Sequence, residues 1–328
     1  MIQIQHNPAA FSDLTATCTD IVVSHPFIVF RGQCQVSHTC RYIYWTPLST
    51  IRPMWNIARN QGAHVFWKGL SSRMCVSVIQ TSAEHVLHQS LLWPRTFSKV
   101  LTFRHFWQHL LLKCGSFLIT SPFYSASFVE CVENSSCVVV ERSGFFSVIS
   151  EGLLRLVGSN VSTTQTRMIS LWQIIPMFCV QQLVHYLVES VIHTACKKYF
   201  AHRNEVDKSY CESKGLAVPD QNLQVEYSSA LSSIVSNLVA DVVVYPAETI
   251  AHRLIIQGTR TLIDNTETGV GVLPIHTQYR GLTDCIGTIA REESFNELFK
   301  GVGSLVFQYG LQLALLHSLR ATFSKFIE

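Results

Sequence analysis

Tyr245-Pro-Ala-Glu-Thr-Ile-Ala-His-Arg-Leu-Ile-Ile-Gln257 is the stretch from which the fold of this chain can be read. It ends an apolar run, Tyr227–Gln257, whose only charges are Asp241, Glu248 and Arg253. About 20 apolar residues suffice to cross a bilayer, and a mid-bilayer charge costs about 2.5–3.5 kcal/mol on insertion scales. These three charges therefore belong against a bundle interior or an aqueous cavity. Pro246 takes one backbone donor out of the helix. A polar stretch follows, and then Leu282, Cys285, Ile286, Ile289 and Ala290 fall at i, i+3, i+4, i+7 and i+8, one helical face. Leu298-Phe299-Lys300-Gly301 stops that helix, and an apolar run without Asp, Glu, Lys or Arg, Gly301–Leu319, begins. The unit is helix, polar connection, amphipathic helix, helix.

Working outward, the unit recurs. Pro26 and Pro122 sit in two further apolar runs, Phe11–Val36 and His105–Val129, as Pro246 does in its own. In the first copy Ile51, Met54, Trp55 and Ala58 predict the amphipathic stripe, and Phe66-Trp67-Lys68-Gly69 the stop. The middle copy is worn; Glu151-Gly152 and Gly158 are its remnants. Ser71–Trp93 and Met168–Val188 complete the set, the latter uncharged. Asp13, Asp20, Arg31, Arg73, Glu84 and Lys113 interrupt the others. The expectation is an all-α membrane protein of six transmembrane helices in three repeats, at 1–93, 94–200 and 201–328.

Composition agrees. Of 328 residues 48% are hydrophobic and 14% charged, against about 25% charged in soluble domains. Mean hydropathy is +0.22. A net charge of +3 lacks the basic footprint of a nucleic-acid binder, so no nucleic-acid partner is expected. Eleven cysteines without a C-x-x-C pair point to a thiol-tolerant compartment. MIQIQHNPAAFSD reads as neither a secretory signal nor an Arg-rich transit peptide, which places targeting information within the spans.

Little reads as chemistry. His105 and His109, like His85 and His88, have helical spacing but no further ligands, so no metal is expected. Gly269-Val-Gly271 lacks a third glycine and a preceding strand and reads as a loop. Asn134-Ser-Ser and Asn160-Val-Ser would be glycosylated only on a secretory route. Lys197, Lys198 and Arg203 read as a membrane edge facing anionic lipid. With no nucleophile–base constellation, neither an enzyme nor a cofactor is expected. His202–Val225 is polar and reads as a flexible connection, with a partner-binding surface as the functional alternative; Thr259–Gln278 is the other candidate surface.

At Tyr245–Gln257, Gly258–Thr266 and Val272–Cys285, with Ser121-Pro-Phe-Tyr-Ser-Ala-Ser127 in the worn copy, the chain resembles the mitochondrial carrier family, solute carrier family 25. The likeness is greatest to its member 46 branch of outer-membrane proteins. It implies residence in the mitochondrial outer membrane and structural roles for Pro26, Arg31, Gly69, Pro122, Pro246, Glu248, Arg253 and Gly301. It also implies an influence on fission and fusion balance, cristae maintenance and lipid transfer. The associates implied are the lipid bilayer, mitofusins, the dynamin-like fusion GTPase and the cristae-organising complex. Proteins of that branch commonly carry a long polar N-terminal extension, whereas this chain begins close to its first helix.

Transporting carriers close one end with acid–base pairs at the three prolines. Here the acid slots hold Ile28, Tyr124 and Glu248, and the basic slots Arg31, Ser127 and Ala251. By family geometry Arg31 and Glu248 form one interior pair, more structural than substrate-binding. The opposite gate needs Phe or Tyr followed by Asp or Glu, which never occurs in this chain. Asp241, seven residues before Glu248, shares its face and either lines a wet cavity or bonds a neighbouring helix. The expected function is an adaptor without alternating access; an inner-membrane solute carrier and an outer-membrane insertase are the alternatives.

Overall fold

A computed structural model describes residues 8–38, 40–94, 103–134, 145–157, 169–214, 221–259, 261–275 and 277–327. Gly158, Asn160 and Met168 lie outside them. Long helices α1 (Pro8–Val36), α3 (Leu70–Leu91), α4 (Phe103–Val132), α6 (Leu171–Lys214), α7 (Gln221–Ile256) and α9 (Val302–Ile327) each pack on the next. The ring closes where α9 meets α1. Shorter helices α2 (Pro47–Gln61), α5 (Phe145–Val157) and α8 (Leu282–Thr288) join the end of one long helix to the start of the next. Pro26, Pro122 and Pro246 lie inside α1, α4 and α7. Three segments among the described residues are long and apolar enough to cross a membrane: Leu171–Lys214, Leu223–Ile256 and Phe295–Thr322.

Two glycines let the ring close at the joined end. Gly69 and Gly301 precede α3 and α9 with φ of 70° and 84°, a left-handed conformation that costs other residues energy. A Cβ on Gly69 would stand 2.6 Å from Cys131 Sγ on α4, and one on Gly301 3.0 Å from Cys34 Cβ on α1. The aromatic-Lys-Gly stop is thus a close-packing point between neighbouring helices.

The structure corrects several expectations. The polar stretch from His202 is helical as far as Lys214, because α6 runs on for 44 residues. That is roughly 66 Å at 1.5 Å per residue, about twice a hydrocarbon core. Past Pro176 no Gly or Pro interrupts it before Gly215, Lys208 and Glu212 pair at i, i+4, and Asn204 donates to Ser228 Oγ of α7. In α2 the core face is Thr50, Pro53 and Ile57, with Met54 and Ala58 of the predicted stripe packed beside it, while Ile51 and Trp55 of that stripe point outward. The helix has two apolar faces, and periodicity selects the one with the larger side chains. In the stripe that begins at Leu282, Cys285 and Ile289 are buried but Leu282 and Ile286 are exposed. There the α-turns give way at Ile289–Glu293 to a wider π-turn.

The Thr259–Gln278 insertion is also ordered. β1 (Leu262–Asp264) pairs antiparallel with β2 (Val272–Pro274), Ile263 opposite Leu273. A strand therefore does precede Gly269-Val-Gly271, but these residues make a hairpin turn, with φ of +71° and +79° at the glycines.

Candidate functional site

The ring encloses a cavity of about 400 Å3. Phe117, Phe128 and Phe178 form an apolar wall, and Arg31, Arg73, Gln181, His185, Asp241 and Glu248 supply its polar lining. α1 brings in Arg31, 6% exposed, whose Nη2 donates to Glu248 Oε1 of α7 at 3.1 Å. Its Nη1 lies 4.0 Å from Asp241 Oδ2. Asp241 lines the cavity and also bonds neighbouring helices. It accepts from Tyr309 of α9 at 2.8 Å and stands 2.8 Å from His185 Nε2 of α6. Two acids thus share one arginine: Nη2 is hydrogen-bonded to Glu248, while Nη1 makes no hydrogen bond among the described residues and is held near Asp241 by charge.

From Glu248 a neutral chain continues across the ring where a transporting carrier would place further ion pairs. Gln35 Nε2 donates to Glu248 Oε2 at 3.4 Å, and Gln35 Oε1 lies 2.7 Å from His252 Nδ1. The amide oxygen only accepts, so His252 carries its proton on Nδ1, and its Nε2 accepts from the Tyr124 hydroxyl of α4 at 2.9 Å. The His252 ring stacks on Phe128, centroids 3.7 Å apart. Tyr124, in a lost acid slot, therefore still joins α4 to α7. Arg253 reaches away from the cavity, and its Nη1 donates to both carboxylate oxygens of Glu293, at 2.8 and 2.7 Å, a partner the sequence reading missed. Arg73 is the lining base without an ion pair among the described residues. Gln181 and Gln308, also in the lining, have buried side-chain carbonyl oxygens with no protein donor among the described residues. His109, offered above as a metal candidate, lies 2.6 Å from the Tyr186 hydroxyl and 2.9 Å from the Pro94 carbonyl.

Beyond the Arg31 layer the β-hairpin covers the joined end. Asp264, fully buried, accepts from Gln33 Nε2 of α1 at 2.6 Å and from Lys68 Nζ, ahead of α3, at 2.8 Å. It also accepts from the Asn134 side chain just past α4. One carboxylate after α7 therefore holds donors from α1, from the segment ahead of α3 and from the end of α4. Burial keeps Lys68 below the ordinary lysine range, and Asp264 draws it partly back. Asn134 N–H donates to the Leu262 carbonyl at 2.7 Å, stitching the end of α4 to β1. On the other side Gly269 rests against α2, where a Cβ would lie 2.8 Å from the Asn56 carbonyl carbon. Sequence reasoning missed this knot; an acid between Leu262, Ile263 and Thr266 inside an inserted segment was the available signal.

Residues 225–328 match the family described as Mitochondrial carrier protein. The mitochondrial outer membrane protein SLC25A46 of zebrafish (Danio rerio) is 34% identical over 312 residues, covering 95% of this chain and 76% of the relative. That of chicken (Gallus gallus) is 35% identical over 315 residues, 96% and 76%. The chain belongs to the SLC25A46 family of mitochondrial carrier proteins. Human SLC25A46 is 33% identical over 316 residues, covering 96% of the chain and 74% of its own length. As an SLC25A46-family protein the chain is placed in the mitochondrial outer membrane, with several apolar helices able to span it.

Proposed function

We propose that this SLC25A46-family chain is a fixed, membrane-embedded adaptor rather than an alternating-access transporter. In this reading all six long helices span the bilayer, in three repeats at 1–93, 94–200 and 201–328. The observation that carries it is the Asp264 knot, a buried closure reaching into all three copies at the end where a transporter must open. Behind it the gate is a single ion pair, Arg31–Glu248, continued by neutral hydrogen bonds. Asp241 extends the pair into the cavity. Pro26, Pro122 and Pro246 shape the helices, Gly69 and Gly301 let them approach, and Arg253 ties α7 to Glu293. None of these needs a substrate to act.

The activity we assign is an influence on mitochondrial fission and fusion balance, cristae maintenance and lipid transfer. It would be exerted through mitofusins, the dynamin-like fusion GTPase and the cristae-organising complex. The test pairs two assays. Purified chain in liposomes is offered carrier substrates, and cells depleted of it are scored for network shape and rescued with Asp264→Ala. No saturable exchange, with altered networks on depletion, is the expected result. Saturable exchange by the wild-type chain would overturn the adaptor reading in favour of a solute carrier. Loss of tail-anchored clients with unchanged networks would favour an insertase instead.

A further inference from the structure

Past the apolar run that ends at Val188, α6 continues to Lys214, roughly 39 Å of helix at 1.5 Å per residue. One side of this extension rests on α7: Ile192, Cys196, Phe200, Asn204 and Cys211 are half-buried, and Asn204 donates to Ser228 Oγ. Another side stands open. Ala195, Tyr199, His202 and Val206 are all exposed, Tyr199 at 60% and Val206 at 50%. They fall at i, i+4, i+7 and i+11, within about 60° of one another around the helix. Alternating steps of four and three are the spacing of a coiled-coil seam.

The charges beside this seam are ordered. Lys198 and Glu205 lie seven residues apart on one flank, both exposed and without an ion pair among the described residues. Arg203 and Cys196 lie on the other flank. Two copies of this helix laid antiparallel, about a two-fold axis between residues 200 and 201, set Tyr199 against His202 and Ala195 against Val206, each contact made twice. In that register Lys198 of each copy faces Glu205 of the other, and Arg203 faces the uncharged Cys196. A shift of seven residues toward the tip brings Glu205 against Glu205, and one toward the bilayer brings Lys198 against Lys198. Parallel copies in one membrane would set Lys198 against Arg203. Like charges facing each other exclude these alternatives, and one register is left.

We propose that the α6 extension pairs antiparallel with that of a second copy seated in an apposed membrane, so that the chain tethers two membranes. The second copy belongs to the opposite bilayer because an antiparallel partner is rooted at the other end of the pair. The two-fold axis stands about 18 Å past Val188, which sets the two surfaces roughly 35–40 Å apart, and the tip of each α6 just spans that gap. Exposed ion pairs are individually weak, so one pairing holds little; many acting together hold two membranes. The proposal rests on the reading of α6 as a span, and it gives the adaptor a recognition surface of its own.

The test uses the full chain in phosphatidylcholine vesicles of two dye colours and reads the fraction of particles that carry both. Wild-type chain should join the colours. Lys198→Glu in both colours sets acid against acid, and Glu205→Lys in both sets base against base; each should lower joining about tenfold or more. Lys198→Glu in one colour with Glu205→Lys in the other restores both ion pairs, and joining should return to within about twofold of wild type. Both positions are exposed with no ion pair to lose, so the variants should fold. Wild-type vesicles that stay apart although trypsin reaches Lys197 and Lys198 from outside would overturn the proposal. Single reversals that join as well as wild type, or a mixed pair that does not recover, would overturn it equally. A carbonate wash of the same vesicles separates the two readings. Chain that washes off removes the span and the pairing together; chain that stays in vesicles that do not join removes the pairing alone.

Discussion

Replacing Asp264 by alanine takes one acceptor from three donors at once. Gln33, Lys68 and the Asn134 side chain all lose their bond, and Lys68 becomes a charge without a counter-ion. The pair is shielded, with side-chain exposures of 10% for Lys68 and 0% for Asp264, so water does not screen it away. Removing one partner of a buried ion pair costs about 3–5 kcal/mol. For a chain of this size that amounts to a fall in Tm of roughly 4–7 °C. Lys68→Met should cost less, about 2–3 kcal/mol, because two amide donors still serve the carboxylate. The double variant should be more stable than the sum of the singles by about 1–3 kcal/mol, the coupling expected of residues in contact. The assay is thermal unfolding in detergent, read by labelling of buried cysteines as they become accessible. Simple additivity would refute the knot, because two groups that do not touch have no coupling to lose.

Gly69→Ala must adopt φ near 70° and push against Cys131, costing about 2–4 kcal/mol in the same assay, and Gly301→Ala less, where the approach is 3.0 Å. Glu293→Gln leaves Arg253 buried with a weaker partner and should cost about 2–3 kcal/mol, whereas Lys208→Ala on the exposed part of α6 should change Tm by less than about 1 °C. Burial pushes the Cys285 thiol up to about 12, so its alkylation by maleimide should stay slow from pH 7 to 9, as mass spectrometry of the folded chain would report. Half-buried Cys196 and Cys211 should label first. Proline at Asp207 should break the α6 extension without unfolding the bundle; amide exchange should rise over residues 203–214 and stay unchanged in α7 beyond Tyr245.

The long helices were legible because apolar runs, prolines and the aromatic-Lys-Gly stop are local patterns, and the penalty for charge in lipid applies residue by residue. The lost acid and base slots could likewise be read from residue types alone. The α6 extension was misread because polarity was taken for flexibility, although helix propensity depends on the absence of Gly and Pro rather than on hydrophobicity. Half of the α2 stripe, Ile51 and Trp55, was misassigned, because periodicity gives a helix's apolar residues without saying which of them meet the core.

By itself, then, the sequence determined the carrier-family membrane-protein class, the long helices and the prolines inside them. It did so because each of these is carried by neighbours in the chain. Only the tertiary structure decided that Asp264 meets Lys68 and Asn134, that Gln35 and His252 continue the Arg31–Glu248 pair, and that Arg253 meets Glu293. Those partners lie tens to hundreds of residues apart. A carboxylate in a polar insertion looks the same in sequence whether it faces water or is the one acceptor for three buried donors; where the ring of helices closes decides which.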